Sequence, residues 1–314
     1  MKRWNTARAF SRRDWLKLAM ASGLVTAGIR MEMGTTSAAS GLPILSRQIP
    51  STGEMLPAVG LGTSDEFETA DDLGSLREVL RRFVAMGGAV IDTAPGYGEA
   101  ESVVGGLISQ LGVGDELFVA TKVSSYGEQA GLDQMEKSQR LLRIEPLDLI
   151  EVHSLVDVET QLENLRRWKD LGRVRYIGIT HHDLAAHDEL ERLMRTEKLD
   201  FVQFNYSVSE PQAEQRLLPL AANRGIAVLT NRPFENGELF SVTEGKPLPV
   251  WTKEFDCESW AQFSLKYVLA HPAVTCVIPA TSNPKHVVDN MRAGLGRLPD
   301  ERMRARMRGF AATL

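Results

Sequence analysis

Four side chains in this sequence supply a carboxylate, a phenol, an ammonium and an imidazole at positions that suit proton transfer. In the stretch VIDTAPGYG, from Val90 to Gly98, Asp92 and Tyr97 lie five residues apart at what reads as the mouth of a β-strand. Lys122 closes the run LFVATK and His153 closes LDLIEVH, so two more single polar groups stand at strand-like ends. Such a set can deliver a proton to a reacting oxygen or remove one.

The four groups can act together only if the fold gathers them. From about residue 58 onward, short apolar runs alternate with longer amphipathic stretches. Strands are expected at 58–62, 89–93, 117–122, 147–153, 174–180, 201–205, 226–230 and 275–278. Between them run helical faces. Leu76, Val79, Leu80 and Phe83 recur at three- and four-residue spacing, and similar faces cross 132–142, 160–171, 184–194, 211–222, 259–269 and 284–291. Strict strand–helix alternation implies a parallel sheet, and eight such units fit an α/β fold of the (β/α)8 TIM barrel type better than an open sheet. An open dinucleotide-binding sheet would carry a G-x-G-x-x-G turn, and the GLGT from Gly60 to Thr63 is too short for one.

A barrel collects its chemistry at the C-terminal ends of its strands, and Asp92, Lys122 and His153 end the second, third and fourth. Neighbouring strands lie about 5 Å apart, so separation along the chain is no obstacle. Ahead of the barrel, residues 44–55 alternate around Ser51, Thr52 and Gly53, the pattern of a β-hairpin that would plug its N-terminal end. Residues 233–255 read as a long irregular loop that would cover the mouth.

The first 39 residues read differently. SRRDWLK, from Ser11 to Lys17, precedes an apolar run at 18–29 and small residues at 35–40, and it resembles a twin-arginine export signal with Trp15 in the usual place of phenylalanine. The apolar run is shorter than the ~20 residues a membrane span needs, so no stable anchor is expected. Cleavage near Ala39 would leave residues 40–314 as a single barrel domain in the periplasm, or otherwise outside the cytoplasm. The expected partners are the twin-arginine export machinery and a small molecule.

The whole chain carries a net charge of −5, and the first 39 residues hold seven bases but two acids, so the remainder is more acidic still. An acidic body without a basic run argues against nucleic acid as a partner. The two cysteines, Cys257 and Cys276, build no disulfide framework and read as small buried apolar groups. His181, His182 and Asp183 are adjacent, but neighbours on one turn rarely converge on a metal ion, and no metal site is expected.

From Arg47 to Leu298 the chain resembles the aldo-keto reductases. The resemblance rests on DTAPGYG at Asp92 to Gly98, ATK at Ala120 to Lys122, the strand-ending His153, and GIT at Gly178 to Thr180. It continues through VQFNYS at Val202 to Ser207, AQFSLKYVL at Ala261 to Leu269, and VIPAT at Val277 to Thr281 with Asn290 beyond. It implies reduction of an aldehyde or ketone by NADP(H), with NAD as the other possible carrier. Tyr97 would be the general acid, Lys122 the cation lowering its pKa, Asp92 the partner of Lys122, and His153 the donor that orients the carbonyl oxygen.

The resemblance also places Gly62, Thr63, Thr180, His181, Gln203, Asn231, Arg232, Thr281, Ser282, His286 and Asn290 around the cofactor. Gln203 would meet the nicotinamide carboxamide, which needs one donor and one acceptor. Thr180 and His181 stand where relatives have Ser-Asn, and Asn231 and Arg232 stand where they commonly have an aromatic and a serine. Ala280 and His286 replace the usual Lys and Arg of the 2′-phosphate pocket, leaving Thr281, Ser282, Lys285 and Asn290 near a helix start at Pro284. Two other readings stay open: an exported, nucleotide-bound sensor or partner-binding subunit with little turnover, and a lyase or isomerase using Lys122 as a Schiff-base amine.

Overall fold

Eight parallel strands, adjacent in the order in which the chain makes them, surround the centre of the protein. The computed structural model describes residues 43–70 and 72–314, so the proposed signal at 1–39 lies outside the described residues. The chain begins with β1 (Ser46–Gln48) and β2 (Met55–Pro57), an antiparallel pair with Arg47 opposite Leu56. The barrel then runs β3 (Leu61–Gly62), α1 (Leu73–Ala85), β4 (Val90–Asp92), α2 (Ala100–Leu111), β5 (Phe118–Val123), α3 (Glu128–Leu142), β6 (Leu147–His153) and α4 (Val158–Asp170). It continues through β7 (Val174–His181), α5 (His187–Thr196), β8 (Phe201–Asn205), α6 (Leu217–Arg224), β9 (Ala227–Asn231), α7 (Glu238–Thr243), α8 (Trp260–Leu269), β10 (Cys276–Val277), α9 (Pro284–Arg292) and α10 (Glu301–Ala311).

The sheet is ordered β3 to β10 without a crossover, and its two edges meet. Gly60 donates its N–H to Val277 O at 2.8 Å, Gly62 donates to Pro279 O at 3.0 Å, and Val277 donates to Ala58 O at 2.9 Å. Glycine permits this approach. A β-carbon on Gly60 would lie 2.9 Å from Val90 O and 3.1 Å from Cys276 Sγ, and one on Gly62 would lie 2.9 Å from Ile278 O.

Side-chain parity divides the sheet into two cores. Val90, Phe118, Ala120, Leu149, Tyr176, Phe201, Leu229 and Cys276 face inward and form one cluster, which Ile49 and Leu56 of the hairpin join from below. The expected plug is therefore present. Thr52 Oγ1 and Tyr176 Oη lie 2.8 Å apart, and Tyr176 Oη also donates to Glu54 Oε2 at 2.7 Å. Outward residues such as Ile91, Val119, Ile150 and Ile179 pack beneath the helices. The stripe on α1 is one such surface: Leu76, Val79, Leu80 and Phe83 are its buried residues, and Asp72 caps its start by accepting from Ser75 N.

One segment differs from the sequence expectation. The stretch 233–255 is not irregular throughout: it holds α7 and two 3-10 turns, Glu235–Gly237 and Val250–Phe255, and Trp251 packs against Phe255, Phe263 and Phe310. These elements are too short to display a period. The tail beyond Arg297 forms α10, whose apolar stripe Met303, Met307, Phe310 and Ala311 packs on the core. Its buried residues are Arg304 and Met307, and Arg304 donates to Tyr206 Oη at 2.7 Å and Glu214 Oε1 at 2.5 Å, so polar bonds supplement its apolar anchor.

Closure predicts the effect of one methyl group. Gly60→Ala forces the added carbon against Val90 O and two side chains, and should reduce unfolding free energy by about 1–3 kcal/mol, the usual range for overpacking. Thermal unfolding of the variant tests this, and an unchanged midpoint would show that the seam yields freely.

Candidate active site

The inward parity that builds the apolar core continues upward into a polar layer. Val90 and Asp92 share one face of β4, Ala120 and Lys122 one face of β5, Leu149, Glu151 and His153 one face of β6, and Phe201 and Gln203 one face of β8. Register sets Asp92 beside Ala120, and Lys122 beside Glu151. Tyr97 is carried by the turn after β4, where its N–H donates to Ala94 O at 3.1 Å. Gly98, at φ +52°, then lets the chain pass Glu68, whose carbonyl oxygen would lie 2.6 Å from a β-carbon there.

The centre of the layer is a buried ion pair. Lys122 Nζ donates to Asp92 Oδ2 at 2.7 Å and to Thr93 O at 2.9 Å, with Lys122 1% and Asp92 3% exposed. Nζ lies 5.0 Å from the centre of the half-buried Tyr97 ring, and the His153 ring meets that ring edge-on at 6.0 Å between centroids. All four expected groups therefore converge on one mouth of the barrel.

Their electrostatics follow from burial and from that ammonium. Burial alone would pull Lys122 down, but Asp92, Tyr97 and Glu151 more than reverse it, so its pKa lies above the ordinary value. His153 is lowered to about 4 by burial and by the Lys122 charge, so at neutral pH it is an uncharged imidazole with one N–H to donate. The expected direction for Tyr97 is corrected. Lys122 does oppose the shift, but burial raises the phenol further and Asp92 and Glu151 add to it, so its pKa lies above the ordinary value. Tyr97 is consequently a fully loaded acid at neutral pH.

Glu151 is the functional neighbour that sequence reasoning overlooked. It is fully buried, and its carboxyl is raised well above the usual range by burial and by Asp92. A signal was present: a glutamate two residues before His153 in an otherwise apolar strand must share the inward face of His153. Gln203, the expected partner of the nicotinamide amide, lies between the two acids. Its Nε2 donates to Asp92 Oδ1 at 2.9 Å and Glu151 Oε2 at 3.0 Å, while its Oε1 accepts from Thr180 Oγ1 and Asn231 Nδ2, each at 3.1 Å. Both its donor hydrogens and its acceptor are thus engaged within the protein, and it acts here as a strut between the two acids rather than as a free amide.

The other residues assigned to the cofactor divide into three groups. Thr63 is buried and donates to Asp92 O at 3.0 Å, and Gly62 lies in the seam, so both support the site from behind. Thr180 is likewise taken up by Gln203. At the mouth, His181 and His182 stack at 5.4 Å, His181 Nδ1 accepts from Asp183 N, and Arg232 holds φ +52° and forms no ion pair among the described residues. Around the start of α9, Thr281 Oγ1 accepts from Asn283 N, and Asn290 is buried while His286 is exposed.

The helix start is less open to phosphate than the sequence implied. Asn283 Oδ1 accepts from Lys285 N at 2.8 Å, and Glu66 Oε2 accepts from Ser282 N at 2.7 Å, inside a cleft of about 460 Å³ that Thr69, Asp72 and Ser75 also line. The mouth nevertheless suits a nicotinamide dinucleotide. The buried Oδ1 of Asn231, inward on β9 like Leu229, has no partner among the described residues and can meet an amide, and the unpaired Arg232 guanidinium suits a pyrophosphate.

Comparison with known proteins agrees with this geometry. Residues 58–307 match the model of the Aldo/keto reductase family. The chain belongs to that family. It is 28% identical to the aldo-keto reductase YhdN of Bacillus subtilis over 58% of its length, a match spanning 59% of that protein. It is also 28% identical to methylglyoxal reductase YeaE of Escherichia coli over 78% of its length and 88% of the relative's. Among solved structures, an aldo-keto reductase from Klebsiella pneumoniae in complex with NADPH superposes with a TM-score of 0.68 at 24% identity, covering 82% of this chain and 92% of that one.

Removing one member of the central pair tests how tightly it is held. Lys122→Met leaves Asp92 buried without its cation and should cost about 3–5 kcal/mol of stability. Urea unfolding at neutral pH measures it, and a loss below about 1 kcal/mol would mean that Asp92 finds water or another partner.

Proposed function

We propose that this member of the family reduces the carbonyl of a small aldehyde or ketone to an alcohol, using NADPH, or NADH, as the electron source. The observation that carries the reading is the Tyr97 phenol beside the buried Lys122–Asp92 pair, with the His153 ring at its edge. When bound, the nicotinamide supplies a hydride to the carbonyl carbon. The protein manages the charge left on oxygen. His153 donates its N–H to the carbonyl oxygen and fixes its position, and Tyr97 passes its phenolic proton to that oxygen. The phenolate that remains is stabilised by the Lys122 ammonium, which Asp92 and Thr93 O keep charged and aimed.

The same pair argues against the Schiff-base reading. An amine must lose its proton to attack a carbonyl, and the raised pKa of Lys122 keeps that proton in place. A sensor with little turnover would not require the acid, the cation and the orienting imidazole together. The E. coli relative named as a methylglyoxal reductase makes that dicarbonyl a reasonable first probe. The NADPH complex of the Klebsiella protein makes NADPH the first reductant to try, and Glu66 at the Ser282 N–H is the residue whose charge opposes an added phosphate.

We propose further that the protein is exported by the twin-arginine route, on the strength of SRRDWLK and the apolar run behind it. Because that route carries folded proteins, the cofactor would be loaded before export and held tightly.

Two experiments follow. Tyr97→Phe should lower kcat for methylglyoxal reduction by about 10²- to 10⁴-fold, the usual worth of a general acid, while NADPH still quenches protein fluorescence at the parent's concentration. Equal turnover would remove Tyr97 from the role. Replacing Arg12 and Arg13 together by Lys should retain the protein in the cytoplasm. Protein recovered outside the cytoplasm at parent levels would reject the route, and recovery of mature protein with no bound nucleotide would reject loading before export.

A further inference from the structure

Glu151 has no part in the proton delivery described above, yet it neighbours Lys122, Asp92 and Tyr97. It is enclosed completely, neighbours Lys122 in register across β5 and β6, and shares the Gln203 amide with Asp92. Two acids thus border one ammonium, and the bonds are unequal. Lys122 Nζ is bonded to Asp92 Oδ2 and Thr93 O, whereas Glu151 Oε1 has no partner at all. Two carboxylates this close in a dry interior cannot both ionise against a single cation, and the one lacking the cation is the one that keeps its proton.

The charged and titratable groups around it are few. Asp92 faces it from β4, Lys122 from β5, and Tyr97 from the turn after β4. At the level of Glu151 and above, the inward residues of β7 and β8 include Gly178, Thr180 and Gln203, none of which carries charge, and Tyr176 lies below them in the apolar layer. Cys276 on β10, near Asp92, stays a thiol, pushed up by burial.

We propose that Glu151 is a protonated positioning residue that sets the alkaline limit of carbonyl reduction: neutral, it leaves Lys122 to Asp92 and Tyr97, and ionised, it draws the ammonium away from the phenol. Its negative charge would also raise Tyr97 further and make it a weaker acid. The inference rests on the reductive reading of the site, but its proton can be measured without turnover. The carboxyl is raised in the folded state, so the native protein holds a proton that the unfolded chain releases above a pH of about 4.3. Glu151 therefore costs stability increasingly as pH climbs from that value towards its folded pKa.

Glu151→Gln keeps the shape and the hydrogen bond to Gln203 but cannot ionise. Three results are expected. The infrared difference between parent and variant shows the carbonyl stretch of a protonated carboxylic acid at neutral pH, lost as the pH is raised. The melting temperature of the variant gains on the parent as the pH is raised above about 4.3. In NADPH-driven methylglyoxal reduction, kcat/KM of the parent falls several-fold above the pH at which the band disappears, while the variant holds its plateau to higher pH.

A parent without the protonated band, or an alkaline limb at the same pH in both proteins, would overturn the proposal. Should the variant fail to fold, carbon-13 NMR of glutamate carboxyls in the parent reads the same proton, with Glu101→Gln assigning the signal of Glu101, a buried glutamate that burial also raises; a parent showing no further high-titrating glutamate overturns it equally. If the parent reduces no carbonyl while the band and the melting trend are present, the reductive reading fails and the protonated Glu151 stands.

Discussion

A lysine ammonium deep inside a barrel is an expensive object, and the upper half of this protein is arranged around keeping one charged. Lys122 is all but sealed from water, where an isolated cation would lose its proton or unfold its surroundings. It survives because Asp92 and the Thr93 carbonyl accept its hydrogens. Asp92 in turn is held by Gln203, and its backbone carbonyl by Thr63; Gln203 is braced by Thr180 and Asn231. Each bond fixes the next, so residues from β4, β5, β7, β8 and β9 form one network, and Tyr97 is presented to the mouth at its upper edge.

This network changes how the acid works. A cation near a phenol is expected to lower its pKa, and taken pairwise Lys122 does so. Here the phenol is also half-buried, and burial together with the Asp92 carboxylate that makes Lys122 tolerable raises it again. The result is an acid that always carries its proton and a cation placed to receive the phenolate afterwards. The help comes when the charge has formed rather than before, which suits reduction better than the reverse reaction.

Periodicity made most of the architecture legible. Strand runs of four to eight residues and helical stripes at 3.6 spacing follow from burial, and burial is what the barrel distributes, so the eight-strand count, the hairpin plug and the convergence of Asp92, Lys122, Tyr97 and His153 could be read in advance. The misses share a cause. Arg304 fastens α10 through polar bonds, and Glu151 lies buried on an apolar strand. In each case a polar residue takes an interior role, and hydropathy assigns such residues to the surface or to a ligand. Only inward parity, applied residue by residue, would have placed Glu151 beside Lys122.

The seam between β3 and β10 has a consequence of another kind. It is made by backbone bonds from Gly60 and Gly62 to Val277 and Pro279, residues more than two hundred positions apart in the chain. Contacts of such long range are the last that a growing polypeptide can form, because their loop closes only after nearly all the barrel has been made. Thr63, which steadies Asp92, directly follows this seam. The geometry of the proton donor is thus tied to the last event of synthesis, and a partly made chain holds the chemical groups without the ring that makes them a site.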